Sequence, residues 1–425
     1  MPKSEQNNIV KTELKNGVRI ISEKIDGVRS VSTGIWVGAG SRHEQEGNEG
    51  ISHFIEHLMF KGTKKRSATD IAETLDSVGG QLNAFTTKEY TCYYAKTLDE
   101  HFSLGLDVLA DMFFNSTFDE KAIKKERSVI EEEIKMYEDT PDDLIHDFFV
   151  QTAWPNHPLG KPILGTIKSL ENIRRKDILR YIQDTYLPNR LVVAIAGNIE
   201  HEEVQEKATQ FFGKMKGQEA KNDLSTPDET QANSVNISRD TGQVQICLGT
   251  GGLSQKDERL YVLHILNNVL GGGLSSRLVQ SIREERGLAY SVFSYHSAFC
   301  DTGLFTFYAG TSPTKYEEVI RILLKQVQEI VAKGITEKEL NRAKEQIKGN
   351  LFLGLENVSS RMTRIGRNEL CLNRIIPPSE IVERVFAVTL DDVKDLANDL
   401  FKDNHFTLST IGPLEKPLEL QTFLS

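Results

Sequence analysis

Residues 53–57 read HFIEH and lie inside a short segment with strong helical periodicity. At about 100° per residue, the apolar side chains of this segment share about 140° of arc. These apolar residues are Ile51, Phe54, Ile55, Leu58 and Met59. The two histidines and the glutamate of the motif fall together on the opposite side. The pattern predicts a helix over residues 50–61 that packs through one face and presents His, Glu and His on the other.

Two imidazoles that lie one helical turn apart on the same face can bind one divalent metal ion. His53 and His57 have this spacing, and Glu56 lies beside them as a candidate proton shuttle. The alternative is that all three are solvated residues of a surface helix. A catalytic zinc usually takes three protein ligands and one water. The interpretation as a metal site therefore needs a third ligand elsewhere in the chain.

A second amphipathic helix, predicted over residues 119–139, offers the third ligand. Two charged residues, Glu126 and Glu133, fall inside its apolar arc and lie on one stripe. A buried carboxylate is costly unless it is paired or bound to a metal ion. This argument selects Glu133 from the run Glu131–Glu133 as the third ligand. The alternative is that both carboxylates pair with buried arginine or lysine.

The composition is that of an ordinary soluble protein with two or more domains. The chain has 425 residues, of which 39% are hydrophobic and 26% charged, and its net charge is −10. This negative charge does not favour binding to nucleic acid or to an anionic membrane. No apolar run approaches the roughly 18–20 residues that a helix needs to cross a bilayer. The start of the chain resembles neither a secretory signal nor a transit peptide. With four scattered cysteines, we expect a cytoplasmic protein.

The chain is predicted to consist of two related halves joined by a polar linker. The linker, residues 214–237, is rich in turn-forming residues and separates an N-terminal domain, 1–213, from a C-terminal domain, 238–425. The helical segments 118–134 and 335–351 share several residues in register, which indicates a duplication. Strands and helices mix without regular βαβ alternation. We therefore expect α+β halves, each an antiparallel sheet with helices on one face.

The second half lacks the candidate metal-binding groups. Ala343 and Asn350 stand where the first half has its two buried glutamates. Leu263, Leu266 and Asn267 stand where the HFIEH motif has His, Glu and His. This difference predicts a metal-bearing N-terminal half and a C-terminal half that binds no metal.

Nearly the whole chain resembles the pitrilysin/insulin-degrading-enzyme family of inverzincin zinc metallopeptidases, in particular its short bacterial branch similar to processing peptidases. The resemblance rests on HFIEH followed by Glu133 in ERSVIEEEI, and on further segments. These segments are GGQLNAFTTKEYTCYY (79–94), NHPLGKPILG (156–165), YLPNRLVVAIAGN (186–198) and GGGLSSRLVQSIREERGLAYSVFSY (271–295).

The resemblance implies a zinc endopeptidase that carries one zinc ion per chain. The zinc ligands would be His53, His57 and Glu133. Glu56 would be the general base that activates water and then protonates the leaving amine. Glu126 matches the family carboxylate that orients a ligating histidine.

The resemblance also implies which residues contact the substrate backbone. Arg283 and Tyr290 match the pair that holds the substrate and stabilises the oxyanion, although taken alone they would be a surface charge and a packing aromatic. The segment 81–86 resembles an edge strand to which the substrate adds. Asn83 would contact the substrate backbone, with Ala84 and Phe85 beside the zinc. An ordinary structural asparagine is the alternative for Asn83.

The resemblance also implies that a pair of acidic residues recognises a substrate side chain near the cleaved bond. Asp143 and Asp147 stand where processing peptidases carry acids that recognise arginine. A solvated acidic helix face explains the pair equally well. The expected substrates are oligopeptides and unfolded basic segments, with a mild preference for arginine.

The length of the chain has a consequence for assembly. Long members of the family carry four such domains that form a clamshell chamber, whereas this chain carries two. The resemblance therefore implies a homodimer in which Arg283 and Tyr290 act on the zinc site of the partner protomer. Two alternatives are a presequence-type processing peptidase that needs a separate partner chain and a non-catalytic assembly subunit.

Overall fold

The computed structural model describes residues 8–217, 224–230, 232–401, 405–415 and 418–424. Its strands β1 to β11 span Ile9–Glu13, Arg19–Lys24, Ser30–Val37, Gln81–Thr86, Thr91–Leu98, Leu191–Gly197, Asn233–Ser238, Val244–Gly251, Ala289–Ala298, Gly303–Thr311 and Thr407–Gly412. Its helices α1 to α15 span Ile51–Met59, Ala68–Asp76, Phe102–Asn115, Glu120–Glu138, Pro141–Ala153, Ile167–Asn172, Arg175–Thr185, His201–Phe212, Leu260–Gly271, Tyr316–Lys333, Glu337–Gly354, Val358–Leu372, Pro378–Ala387, Leu390–Phe401 and Gln421–Leu424. Across these ranges, no helix has the length and apolar character that crossing a membrane requires.

The chain folds into two compact units, each assembled from separate segments. Unit 1 consists of Met1–Lys135, Lys161–Leu224 and Phe352–Pro377, and unit 2 consists of Met136–Gly160, Ser225–Leu351 and Pro378–Ser425. The contiguous division expected from the sequence differs from these units at two helices, because α5 belongs to unit 2 and α12 to unit 1. The expected linker, 214–237, also contains most of β7.

Unit 1 contains a six-stranded sheet in the order β1-β2-β6-β3-β5-β4. β2 and β6 run parallel, and the other neighbouring pairs run antiparallel. The central strands β3 and β6 are buried almost throughout, because apolar side chains leave both of their faces. β4 lies at one side of the sheet and pairs, among the described strands, with β5 alone.

Alternate side chains of β3 belong to two different hydrophobic cores. Ile35 and Val37 join the core that includes α1 and α3, whereas Trp36 joins a smaller core covered by α12. The indole Nε1 of Trp36 lies 3.4 Å from Met362 Sδ on α12. A Cβ at Gly366 would clash with the Trp36 ring, so this glycine permits the close approach of the helix to the sheet.

Buried ion pairs also hold α12 on the sheet of unit 1. Glu369 is 1% exposed, and its Oε1 lies 2.7 Å from Lys11 Nζ and 3.1 Å from Arg19 Nη1. The buried Glu23 of β2 lies 2.6 Å from Arg361 Nη1 of α12. Each carboxylate is therefore compensated by a cation, as a buried charge requires.

Unit 2 contains a five-stranded sheet in the order β7-β11-β8-β10-β9. β7 and β11 run parallel, and the other neighbouring pairs run antiparallel. This order and these directions repeat those of β2-β6-β3-β5-β4 in unit 1. The expected α+β class with two related halves is confirmed.

The sheet of unit 2 also has helices on both faces. α9, α10 and α14 contribute to the large core on one face. Ile145 and Phe149 of α5 pack on the other face, against Cys247 and Tyr308. We expected helices on one face of each sheet, but α5 and α12 cover the second faces because the central strands are apolar on both sides.

Candidate metal centre

The helix predicted from the HFIEH motif is α1, and its capping explains its position. It begins after Gly50, whose φ of 90° is a left-handed conformation that glycine adopts without strain. A side chain at Gly50 would also clash with the Leu164 carbonyl. The apolar face of α1 is buried in the core of unit 1. His53 is buried, while Glu56 and His57 are half-buried on the remaining face.

α4 brings Glu133 to the two histidines of α1. Glu133 Oε1 lies 3.9 Å from His53 Nε2, and Glu133 Oε2 lies 3.6 Å from His57 Nε2. One ligand atom from each of the three residues lies within 4.8 Å of the others. The structure thus brings together the three candidate ligands that helical periodicity singled out.

The spacing of these atoms fits a divalent ion of the size of zinc. Donors at about 2.0–2.2 Å from a tetrahedral ion lie about 3.4 Å apart, close to the separations of 3.6 and 3.9 Å. Burial, with a contribution from His57, lowers the pKa of His53 to about 3. His53 is therefore neutral at physiological pH, and a neutral imidazole is the form that binds a metal ion.

Glu126 lies behind the metal-facing side of His57. It is 1% exposed, and its Oε2 lies 3.5 Å from His57 Nδ1 and 3.1 Å from Lys61 Nζ. The carboxylate can therefore orient the imidazole through the nitrogen opposite the one that faces Glu133. Lys61 compensates the buried charge of Glu126, but it is exposed and so is not the buried partner that the alternative required. Sequence patterns did not single out Lys61, which lies two residues beyond the end of α1.

Glu56 is held by a residue that sequence patterns missed. The Thr86 hydroxyl donates a hydrogen bond of 2.5 Å to Glu56 Oε2. Burial raises the pKa of Glu56, and the charge of Glu133 raises it further. The Thr86 hydrogen bond and His57 act in the opposite direction and lower this pKa. A carboxyl group with a raised pKa beside the candidate metal-ligand atoms is suited to accept a proton and return it.

The carboxylate of Glu44 fixes the beginning of α1. Its Oε2 accepts a hydrogen bond of 2.8 Å from the Gly50 N–H, and its Oε1 accepts one of 2.9 Å from the Ser52 N–H. Because Gly50 has no side chain, it cannot cap the helix itself, and Glu44 caps the free N–H groups instead. Burial raises the pKa of Glu44 to about 7 despite these two bonds. Ser52 Oγ also lies 2.8 Å from the Tyr181 hydroxyl, which anchors the same turn.

The edge strand β4 runs beside α1, and its side chains alternate between the two faces of the sheet. Ala84 packs against the core beneath α1. Phe85 packs on the opposite face, with its ring centroid 5.6 Å from that of Trp36. The expectation that both side chains lie beside the metal is therefore wrong for Phe85, because successive strand residues point to opposite faces. Asn83 is exposed, and its Oδ1 accepts a 2.8 Å hydrogen bond from the Ala84 N–H.

In unit 2, Arg283 and Tyr290 contact each other. Arg283 lies in a π-helical turn, Val279–Glu284, and Tyr290 lies in β9. The guanidinium carbon is 4.9 Å from the centroid of the tyrosine ring. Tyr290 is 80% exposed, which does not fit the alternative of a strand-packing aromatic. The pair forms an exposed set of hydrogen-bond donors.

Asp143 and Asp147 lie on α5 and therefore belong to unit 2. Asp143 is exposed and Asp147 is half-buried. The hydroxyl of Tyr137 donates a 3.0 Å hydrogen bond to the Asp143 carbonyl oxygen. Burial, with the charges of Asp147 and Asp143, raises the pKa of Tyr137. These contacts are local, and the selection of arginine by the two aspartates stays a prediction.

Three of the five positions of unit 2 that correspond to the candidate metal groups are buried apolar residues. Leu263 and Leu266 of α9 are fully buried in its core, as is Ala343 of α11. Asn267 Oδ1 accepts a 2.8 Å hydrogen bond from the Ser294 hydroxyl. The fifth position, Asn350, is exposed, so the second copy of the repeat carries apolar or neutral polar residues at all five positions.

Models of two related families match most of the two halves. Residues 19–167 match the model described as Insulinase (Peptidase family M16). Residues 172–347 match the model described as Peptidase M16 inactive domain. The first match contains the candidate metal centre, and the second contains Arg283 and Tyr290.

Individual relatives extend the similarity over nearly the full chain. The chain is 47% identical to an uncharacterised zinc protease of Bacillus subtilis, YmxG, over 94% of this chain and 97% of that one. It is 42% identical to an uncharacterised zinc protease of Streptomyces coelicolor, over 95% of this chain and 90% of that one. The crystal structure of a protease from Helicobacter pylori has a TM-score of 0.88 and 25% identity, over 95% of this chain and 99% of that one.

Proposed function

Because this chain belongs to the insulinase family of peptidases, family M16, we propose that it is a zinc-dependent endopeptidase that cleaves oligopeptides or unfolded basic segments. The main support is the convergence of His53, His57 and Glu133 at metal-ligand spacing. The names of two bacterial relatives, both zinc proteases, favour zinc among the divalent ions that such donors accept.

In this proposal each residue of the centre has one role. His53, His57 and Glu133 hold the zinc ion, which when bound supplies the Lewis acidity that makes water nucleophilic near neutral pH. Glu56 takes a proton from the attacking water and delivers it to the leaving amine. Glu126 keeps the His57 ring in its ligating orientation through Nδ1.

The free side of β4 is the proposed site of substrate addition. A peptide that pairs with this strand would be held through main-chain hydrogen bonds, with little dependence on its sequence. Asn83 and Ala84 are the proposed contacts, since Asn83 is exposed and Ala84 lies on the α1 face. Phe85 would contribute through its backbone, because its side chain packs on the far face of the sheet.

Arg283 and Tyr290 are proposed to stabilise the tetrahedral oxyanion as donors from the partner protomer of a homodimer. Their mutual contact and the exposure of Tyr290 support this role. The dimer would enclose the chamber that admits peptides and excludes folded proteins. Mixing a Glu56→Gln protein with an Arg283→Ala protein tests the sharing. Activity above that of either variant alone supports it, and no recovery counts against it.

Selection of arginine near the cut is proposed for Asp143 and Asp147. Both aspartates are at least partly solvent-accessible, which a residue that recognises a charged side chain requires. Replacing Asp147 by asparagine should reduce the excess of arginine at the preferred subsite of a peptide library. An unchanged subsite profile would mean that the acidic face is only solvated.

Cleavage of a peptide library by the purified chain, read by mass spectrometry, tests the central proposal. We expect about one zinc per chain, cleavage that a chelator abolishes, and a Glu56→Gln variant that retains zinc but does not cleave. Glu132→Gln is the matched control, because Glu132 lies on α4 beside Glu133 but is exposed and pairs with Lys135. A purified protein that binds zinc and cleaves nothing contradicts the proposal.

The same experiment separates the two alternatives. A presequence-type processing peptidase subunit would hold zinc but cleave only after a separate partner chain is added, and a non-catalytic assembly subunit would not cleave in either case. The presence of the metal residues and of the Arg283–Tyr290 pair in one chain favours self-sufficiency. A cytoplasmic location is part of the proposal, since the buried thiols Cys92 and Cys247 suit a reducing compartment.

A further inference from the structure

We infer that Thr86 is a positioning residue that fixes the Glu56 carboxylate and determines which of its oxygens exchanges the proton. This inference rests on the proposed peptidase function. Thr86 is the last residue of β4, and Glu56 lies on α1. Their hydrogen bond therefore joins the edge of the sheet to the helix that carries the two histidines.

The geometry of this contact is that of a strong hydrogen bond. Thr86 Oγ1 lies 2.5 Å from Glu56 Oε2, and both side chains are half-buried. Hydrogen bonds from a hydroxyl to an ionised carboxylate are short and about twice as strong as bonds between neutral groups. Thr86 pairs with Thr91 in the β-ladder, so its hydroxyl is presented by a rigid element.

The neighbouring threonine fixes the direction of the bond. Thr91 Oγ1 lies 3.4 Å from Thr86 Oγ1, and Thr91 donates a 3.0 Å hydrogen bond to the Ala39 carbonyl. A hydroxyl has one hydrogen to donate, so Thr91 has none left for Thr86. The Thr86 hydrogen therefore goes to its nearer acceptor, Glu56 Oε2.

This arrangement assigns different tasks to the two carboxylate oxygens. A carboxylate rotates easily about its last torsion, and the Thr86 bond removes that freedom. With Oε2 engaged, Oε1 is the oxygen that receives the proton of the attacking water and returns it to the leaving amine. Because the proposed substrate pairs with β4 as well, the strand that aligns the peptide also aligns the base.

Two replacements, one without the hydroxyl and one with it, test the role. Thr86→Val removes the hydroxyl and keeps the branched shape, while Thr86→Ser keeps the hydroxyl. We expect Thr86→Val to lower kcat about ten-fold or more, with KM and zinc content near those of the wild type. Thr86→Ser should stay within about three-fold of the wild-type kcat. Wild-type kcat in the valine variant, or an equal loss in the serine variant, would overturn the inference.

A second measurement needs neither metal nor activity. In the metal-free protein, Thr86→Val should lower the urea midpoint when Glu56 is present and leave it unchanged in a Glu56→Ala background. The same shift in both backgrounds would mean that the two side chains are not coupled, and this would overturn the inference. A wild-type protein that cleaves no peptide would instead contradict the proposed function, so the two failures are distinguishable.

Discussion

Replacing Glu44 by glutamine should change how the stability of the protein depends on pH. Burial raises the pKa of Glu44 from its ordinary value of 4.5 to about 7 in the folded protein. The folded state therefore binds more protons than the unfolded state between these values, and the wild type loses stability as the pH rises through them. At ~1.36 kcal/mol per pKa unit, the loss amounts to roughly 3 kcal/mol, most of it between pH 5 and pH 8.

The glutamine side chain cannot ionise, so the variant lacks this contribution. Its amide oxygen can accept from the Gly50 or the Ser52 N–H, but its amide nitrogen cannot accept from the other. The lost bond should cost about 1 kcal/mol at every pH. The free energy of unfolding of the wild type, minus that of the variant, should therefore decrease by roughly 2.5 kcal/mol from pH 5 to pH 8.

Urea denaturation of the metal-free proteins at four pH values between 5 and 8 measures this difference. Glu46→Gln, in the exposed part of the same loop, controls for the loss of one negative charge. A difference between wild type and Glu44→Gln that stays constant, or that grows with pH, would refute the argument. Confirmation would mean that the capping of the metal-bearing helix responds to pH near neutrality.

Three further predictions concern metal affinity, catalysis and packing. Glu126→Gln should weaken zinc binding about ten- to a hundred-fold, because the proposed role of the carboxylate is to orient His57. Competition with a chromophoric chelator measures the affinity, and an unchanged affinity would contradict that role. Tyr290→Phe should retain zinc but lower kcat about a hundred-fold, because removal of one oxyanion donor typically costs that much. A wild-type kcat in this variant would exclude the hydroxyl from the mechanism. Glu369→Ala should lower the free energy of unfolding by about 3 kcal/mol in urea, because the largely buried Arg19 guanidinium loses its carboxylate partner. A change below about 1 kcal/mol would show that water replaces the pair.

Helical periodicity was sufficient to find most residues of the candidate metal centre. In a helix, the spacing along the chain determines which side chains share a face, so His53 and His57 could be paired without tertiary information. The same rule placed Glu126 and Glu133 on one stripe of α4. Their contacts with the two histidines in the structure agree with that prediction.

Contacts between different elements could not be found in this way. Thr86 approaches Glu56 because β4 lies beside α1, and Glu44 reaches the start of α1 from a preceding loop. Neither residue belongs to a periodic pattern. The expected position of the Phe85 side chain is wrong for a related reason. The face to which a strand residue points depends on the register of the strand in its sheet.

The division into units shows the same limit on a larger scale. α5 and α12 each bury apolar side chains, but the local sequence of a helix does not say against which sheet it packs. In the structure α5 belongs to unit 2 and α12 to unit 1, so each unit contains a helix that its sequence neighbours would assign to the other. Local pattern identifies a buried face, whereas the choice of partner depends on the whole core.

The sequence by itself determined the helix faces, the donor set of the candidate metal centre and the duplication of the two halves. These properties follow from the fixed geometry of the backbone, which converts spacing along the chain into direction. The tertiary structure alone decided that α4 brings Glu133 within 3.6 Å of His57, that Thr86 meets Glu56, and that helices are exchanged between units. Those distances are set by close packing between elements far apart in the chain, which no local pattern encodes.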